Sequence, residues 1–142
     1  MRAPDISAWI GRSETLQDHV ARGPFDRLAA MLDRAPEAAV IPPMGHLLCF
    51  LPGAAQGDIG VDGHPRRGGI VPPIDLPMRM AAGSRVSFHA PIPFGADVRR
   101  VSTIANVAEK NGRTGRLVFL TLRHTVFAGE TLCITDEADI VF

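Results

Sequence analysis

A chain of 142 residues, 46% of them apolar, is one domain's worth with material for a real core, which excludes a disordered tail. Fifteen basic and fifteen acidic residues leave a formal net charge of zero, so no global field draws nucleic acid to it, and RNA or DNA is not an expected partner. No apolar run approaches the roughly 20 residues that span a bilayer, and Met1-Arg2-Ala3-Pro4-Asp5 lacks the apolar stretch of a secretory signal.

Trp9-Ile10 leads into a polar stretch, Gly11 to Asp18, that favours neither helix nor strand. The spacing predicts a helix over 24–34. Pro24 suits a first turn, and Phe25, Leu28, Ala29 and Leu32 make one apolar stripe ended by Pro36. After Pro42-Pro43 comes the short apolar segment His46-Leu47-Leu48-Cys49-Phe50-Leu51, read as a short helix. From Pro52 to Pro77 no period is visible among frequent glycines and prolines, the composition of a binding loop or lid.

Beyond it the period becomes two. Val86, Phe88 and Ala90 alternate with Arg85, Ser87 and His89, and Val101, Thr103, Ala105 and Val107 give a weaker alternation. Val118, Leu120, Leu122 and Val126 face one way, with Thr121, Arg123 and Thr125 opposite. Leu132, Ile134, Ala138, Ile140 and Phe142 form a last face interrupted by Asp136. Asn111-Gly112 and Ala128-Gly129-Glu130 signal tight turns. The expectation is an α+β domain, one helix packed on an antiparallel meander of about four strands. Cys49 and Cys133 sit far apart among apolar neighbours without C-x-x-C spacing. They read as buried free thiols of a reducing, cytoplasmic setting rather than zinc ligands, and no metal is expected.

Five segments in order carry a resemblance: Trp9-Ile10-Gly11-Arg12; Asp62-Gly63-His64-Pro65-Arg66-Arg67-Gly68-Gly69-Ile70-Val71-Pro72-Pro73; Arg79-Met80-Ala81-Ala82-Gly83; Glu109 to Phe119; and Asp139-Ile140-Val141-Phe142. Together they resemble the N-terminal half of the MaoC-like, or fatty-acid-synthase-like, dehydratases. That group includes itaconyl-CoA and mesaconyl-CoA hydratases and mitochondrial-type 3-hydroxyacyl-thioester dehydratases. The resemblance implies a single hot-dog domain over 1–142, a sheet curled around one central helix. It also implies an acyl-CoA or acyl-carrier-protein thioester as the ligand, with CoA or phosphopantetheine arriving as part of the substrate and no further cofactor. In such enzymes an Asp-x-Asn-Pro-x-His motif on a second hot dog moves the water, and this sequence has no such motif. The chain is therefore expected to work as a subunit paired with a catalytic MaoC-type chain, as a homodimer that binds or hydrolyses thioesters, or as one piece of a longer enzyme.

No catalytic residue is assigned. His64, Arg66, Arg67 and Arg79 are the candidates for holding the carrier, because guanidinium groups grip phosphate bidentately and glycines allow close backbone approach. Their ordinary alternative is a solvated turn whose arginines pair with Asp58, Asp62 or Asp75. His46 and His124, in line with apolar neighbours, read as hydrogen-bonded core residues rather than catalysts. Asp136, Glu137 and Asp139 read as charges guarding a strand edge, with a hot-dog thioesterase base as the other use.

Overall fold

In a computed structural model, which describes residues 5–113 and 115–142, the chain forms β1 (Ser13–His19), α1 (Arg22–Met31), β2 (Met80–Phe88), β3 (Asp97–Gly112), β4 (Gly115–Ala128) and β5 (Thr131–Val141). Met1 to Pro4, used for the N-terminal reading, and Thr114, within the hairpin segment, lie outside the described residues. All strand pairs are antiparallel, in the order β1-β3-β4-β5-β2. β3, β4 and β5 form the expected meander, but β2 crosses to the far side of β5, where Phe88 stands opposite Ile134. The sheet therefore has five strands rather than about four. The fifth is β1, the stretch whose pattern was ambiguous. It is exposed at nearly every position, so it carries no burial period to read.

The tight turn at Gly129 is as expected, its φ of 57° suiting a residue without Cβ. Asn111-Gly112, by contrast, is not the turn itself. Those residues pair with Arg116 and Gly115 as the last rungs of the ladder.

β4 buries Val118, Leu120, Leu122 and Val126 as its alternation requires. β3 reverses the expectation. Val98, Ser102 and Ile104 are buried, while Val101 and Thr103 are only half-buried. The reason is a β-bulge at Ala105, where the register jumps from Ile104–Leu122 to Asn106–Thr121. An extra residue inverts the side-chain phase, so Val107 joins the inner face beyond the bulge and aligns with the wrong set in a linear reading.

Two apolar clusters fill the inner face. One gathers Val20, Phe25, Ile41, Phe50, Ile92 and Val126, and the other Ile6, Val71, Ile74, Ile104, Leu120 and Phe142. α1 covers only the first. It starts at Arg22, where the side chain donates to the carbonyls of Glu37 (2.6 Å) and Ala38 (3.0 Å), and it ends at Met31, with Asp33 at φ 51°, well before Pro36. Phe25 and Ala29 are buried, but Leu32 is 52% exposed, so the predicted stripe is used at one end only. Burial of Phe25 contributes about 2–3 kcal/mol. The second cluster is closed by the Gly/Pro-rich loop itself. Val71, Pro72 and Ile74 are buried, and the loop holds only a short 3-10 turn at Gln56–Asp58 and an Ile59–Pro65 bridge. An antiparallel sheet curled over a single helix is the hot-dog arrangement.

The apolar segment after Pro43 is a 3-10 turn, Gly45–Leu48, and becomes extended at Cys49. Gly45 allows it to lie against α1, since a Cβ there would stand 2.9 Å from the Phe25 ring. Cys49 and Cys133 are buried free thiols, and burial pushes the Cys49 thiol up to about 11.

Candidate functional site

Between the two apolar clusters the inner face turns polar. Ser102 on β3, His124 on β4 and Asp136 on β5 are direct cross-strand partners, one row of the sheet. Strand spacing of about 4.8 Å sets them side by side. The rows on either side are largely apolar, Val126 opposite Ile134 and Ile104 opposite Leu122. Ser102 Oγ and His124 Nδ1 are 2.8 Å apart, and Ser84 Oγ of β2 donates a very short hydrogen bond to Asp136 Oδ1. His46, brought in by the 3-10 turn, places Nε2 3.6 Å from Asp136 Oδ2. Arg100 is half-buried on the same face of β3, its guanidinium 5.1 Å from the centre of the Phe50 ring.

This belt borders a cavity of about 290 Å³ lined by His46, Phe50, Arg100, His124, Asp136 and Ala138, with the exposed Leu47 and Leu51 at its rim. Its electrostatics follow from burial. Desolvation pushes the His124 imidazole down to about 4, with the Arg100 charge adding to the effect. Desolvation also lowers His46, against a counter-pull from Asp136. Both rings are neutral at pH 7. Burial lowers the Arg100 guanidinium too, but from so high a value that it keeps its charge. Both ring nitrogens of His46 and Nε of Arg100 are buried without a hydrogen-bond partner. Buried polar atoms in native structures nearly always have one, so orphans beside a cavity mark a place for water or ligand. Phe50 adds a further sign. It holds φ at 58°, a costly region for a residue with Cβ, and its N–H donates to Asp18 Oδ2 at 2.7 Å.

Two sequence expectations are corrected here. Asp136 guards no strand edge, because β5 lies between β4 and β2 and the side chain is buried on the inner face. His124 is a hydrogen-bonded inner-face residue as expected, but His46 is buried without a hydrogen-bond partner, and both border the cavity. The signal was present: His124 and Asp136 each occupy a core-phase position of an otherwise apolar face. Glu137, the other proposed thioesterase base, lies on the outer face, ion-paired with Arg85 and Arg123.

The arginine loop is built differently. Asp62, Arg66 and Arg67 line a groove of about 510 Å³ with Ile74, Leu76 and Pro77. Arg67 donates to the carbonyls of Ile74 and Leu76 (2.6 Å to the latter), lies 3.3 Å from Asp62 Oδ2 and covers the Phe142 ring at 4.8 Å. It braces the loop to the C-terminal end of the sheet. Arg66 is exposed and makes one side-chain bond, to the carbonyl of Gly57 at 3.0 Å. Arg79 is half-buried near Asp62 and Arg67, and burial lowers its guanidinium. His64 is exposed, and its backbone closes the turn, N–H to Asp62 Oδ1 and carbonyl to Gly60 N–H. The loop thus brings Arg66 and Arg67 to one groove and leaves His64 outside its lining.

Known proteins are similar to this chain at two levels. Mesaconyl-C(4)-CoA hydratase of Chloroflexus aurantiacus is 42% identical over 146 residues, which is 100% of this chain and 52% of that protein, so the chain spans about half that relative's length. Among solved structures, the ChsH1–ChsH2 complex from Mycobacterium tuberculosis superposes with a TM-score of 0.68 at 13% identity, over 96% of this chain and 85% of the matched one. The C-terminally truncated HadBC (3R-hydroxyacyl-ACP dehydratase) complex of the same organism gives 0.65 at 15% identity, over 94% and 96%. These structural matches establish the fold. The hydroxyacyl-thioester dehydratase type 2 family model matches residues 44–142, and the chain belongs to that family.

Proposed function

We propose that this chain is one half of an acyl-thioester hydratase or dehydratase, forming the acyl-binding wall while a second hot-dog domain supplies the residues that move water. The observation that carries the reading is the polar belt on the inner face, a cavity with orphaned donors where a purely structural domain would be apolar. Membership of the dehydratase family supports the reaction class. The match to about half the length of a mesaconyl-C(4)-CoA hydratase supports a site completed by a second half, and the two-component complexes of similar fold support supply by a separate chain. Among the described residues, β2 has a strand neighbour on its β5 side only and exposes Met80 and Phe88, an open edge on which a second sheet would continue. CoA or a phosphopantetheine arm is the carrier, with Arg66 and Arg79 the residues free to meet its phosphates.

In the hydration direction, water oxygen bonds to the β-carbon of the enoyl thioester and a proton is delivered to the α-carbon. Dehydration reverses both steps. Negative charge builds on the thioester carbonyl oxygen, so donors aimed at that oxygen and a positioned acid–base pair carry the rate. The test is co-expression with a MaoC-type chain bearing Asp-x-Asn-Pro-x-His, followed by loss of enoyl-thioester absorbance. Turnover by the pair and not by this chain alone is expected. Equal turnover by the isolated chain would place the base here and overturn the division of labour. Release of free CoA without hydration would move the chain to the thioesterases.

A further inference from the structure

The structure assigns a positioning role to Asp18: from the edge strand β1, its carboxylate sets the wall of the cavity by holding Phe50 in a conformation that residue would not otherwise keep. This rests on the reading of the chain as an acyl-binding half. The segment that brings His46 to the belt has left-handed residues at both ends, Met44 at φ 65° and Phe50 at φ 58°. Met44 is exposed where the chain enters the 3-10 turn. Phe50 is buried where it leaves, directly after the extended Cys49. A step from extended to left-handed backbone is a sharp corner, most easily taken by glycine. A phenylalanine persists there only where its surroundings over-determine it. Two contacts do so. The ring is sealed in the first apolar cluster, and the N–H donates to Asp18 Oδ2 at 2.7 Å.

Asp18 is built for that task. Its other oxygen accepts from the N–H of His19 at 2.8 Å, which fixes the orientation of the carboxylate. It stands opposite the buried Val98 of β3, so it shares the inner side of the sheet. Among the described residues it has no ion-pair partner, unlike Asp62, Asp97 and Asp139. Its bonds go to backbone N–H groups instead. Phe50 in turn joins two parts of the cavity wall. Upstream, the N–H of Cys49 closes the 3-10 turn on the carbonyl of His46 at 3.1 Å, and downstream Leu51 and Pro52 continue the lining. Were Phe50 to relax to a negative φ, its ring would leave the wall and carry His46 and Leu51 with it. The polar floor on β4 and β5 would remain, without a shaped side. Asp18 thereby governs the fit of the acyl group without lining its cavity.

Calorimetric titration of the full chain, alone and with its co-expressed partner, with butyryl-CoA and free CoA tests this. The two probes share the nucleotide and pantetheine and differ by the acyl group. Wild-type protein is expected to bind butyryl-CoA at least about tenfold more tightly, because the added carbons leave water. Asp18→Ala should lower that ratio by about tenfold, with the loss confined to butyryl-CoA. Asp18→Asn, which keeps one acceptor oxygen for the Phe50 N–H, should give an intermediate ratio. Asp97→Ala, which breaks the neighbouring pair with His19, should keep the wild-type ratio. Hydrogen exchange followed by NMR should show the Phe50 amide protected in wild type and in Asp97→Ala, and unprotected in Asp18→Ala. A ratio that survives Asp18→Ala, or an equal loss of affinity for both probes, overturns the inference and leaves the acyl-binding reading intact. If the alanine variant does not fold, Asp18→Asn carries the test, and a wild-type ratio beside an unprotected Phe50 amide overturns the inference. A wild-type ratio of one overturns the acyl-binding reading, and the inference with it.

Discussion

The loop from Pro52 to Pro77 and the belt of Ser102, His124 and Asp136 are both polar, yet they spend their side chains in opposite ways. In the loop the conspicuous residue, Arg67, is consumed by its own chain: two carbonyls, Asp62 and the Phe142 ring account for its guanidinium. In the belt, His46 and Arg100 leave buried nitrogens unanswered. An arginine among glycines invites a ligand reading, but full satisfaction by the backbone marks a brace. An unsatisfied group beside a cavity marks a site.

That contrast can be broken by stability and binding measurements. The largest effect is expected from Arg67→Ala, which strands two carbonyls and the half-buried Asp62. Urea unfolding should show a loss of about 3–4 kcal/mol, and a loss below about 0.5 kcal/mol, the size of an ordinary surface change, would return Arg67 to the ligand-binding candidates. Next is acid sensitivity of the belt. His124, faced by His46, Arg100, Ser102 and Asp136, is held near 4 against an ordinary 6.5. Between those values the unfolded chain takes up a proton that the folded chain refuses. The stability contribution is therefore complete above about pH 6.5 and declines as pH falls toward 4, by at most about 3 kcal/mol. His124→Leu should flatten the pH dependence of the melting temperature across that window. An unchanged slope would mean that the ring is not held neutral.

At pH 7.5 the same His124→Leu variant is expected to change stability by less than about 1 kcal/mol, or to stabilise, because functional polar groups in an apolar face are commonly kept at a cost to the fold. A loss of several kcal/mol in urea unfolding would make the belt structural. The smallest stability effect belongs to Arg66→Ala, within about 0.5 kcal/mol as for most surface changes. Its readout is calorimetric affinity for a CoA thioester, expected to weaken by about tenfold if Arg66 meets phosphate. Unchanged affinity would leave it a turn residue.

The fold was largely legible because its signals are local. The β4 alternation, the helix around Phe25 and the Gly129 turn need no distant information, and the five ordered segments carried the family. The site was less legible because it is assembled across strands. Nothing in the neighbourhood of His124 announces that Asp136 is its lateral partner, or that a turn starting at Gly45 will bring His46 over both. A single clue was available, a titratable residue at a core-phase position in each of two adjacent faces. The loop misled in the other direction, since its composition says "exposed" while Val71, Pro72 and Ile74 are sealed beneath it.

The bulge at Ala105 carries a consequence for how this chain tolerates change. Its side chain is small and half-buried, so replacement there should matter little, and as the unpaired extra residue it is also the position of β3 where loss of one residue is best tolerated. It acts as a parity switch between Ile104, which rests on Leu122, and Val107, which rests on Leu120. Removing Ala105 would leave both of them inward, because Ile104–Leu122 and Asn106–Thr121 would become consecutive rungs of a regular ladder, and the strand would lose only the local bend and added twist of the bulge.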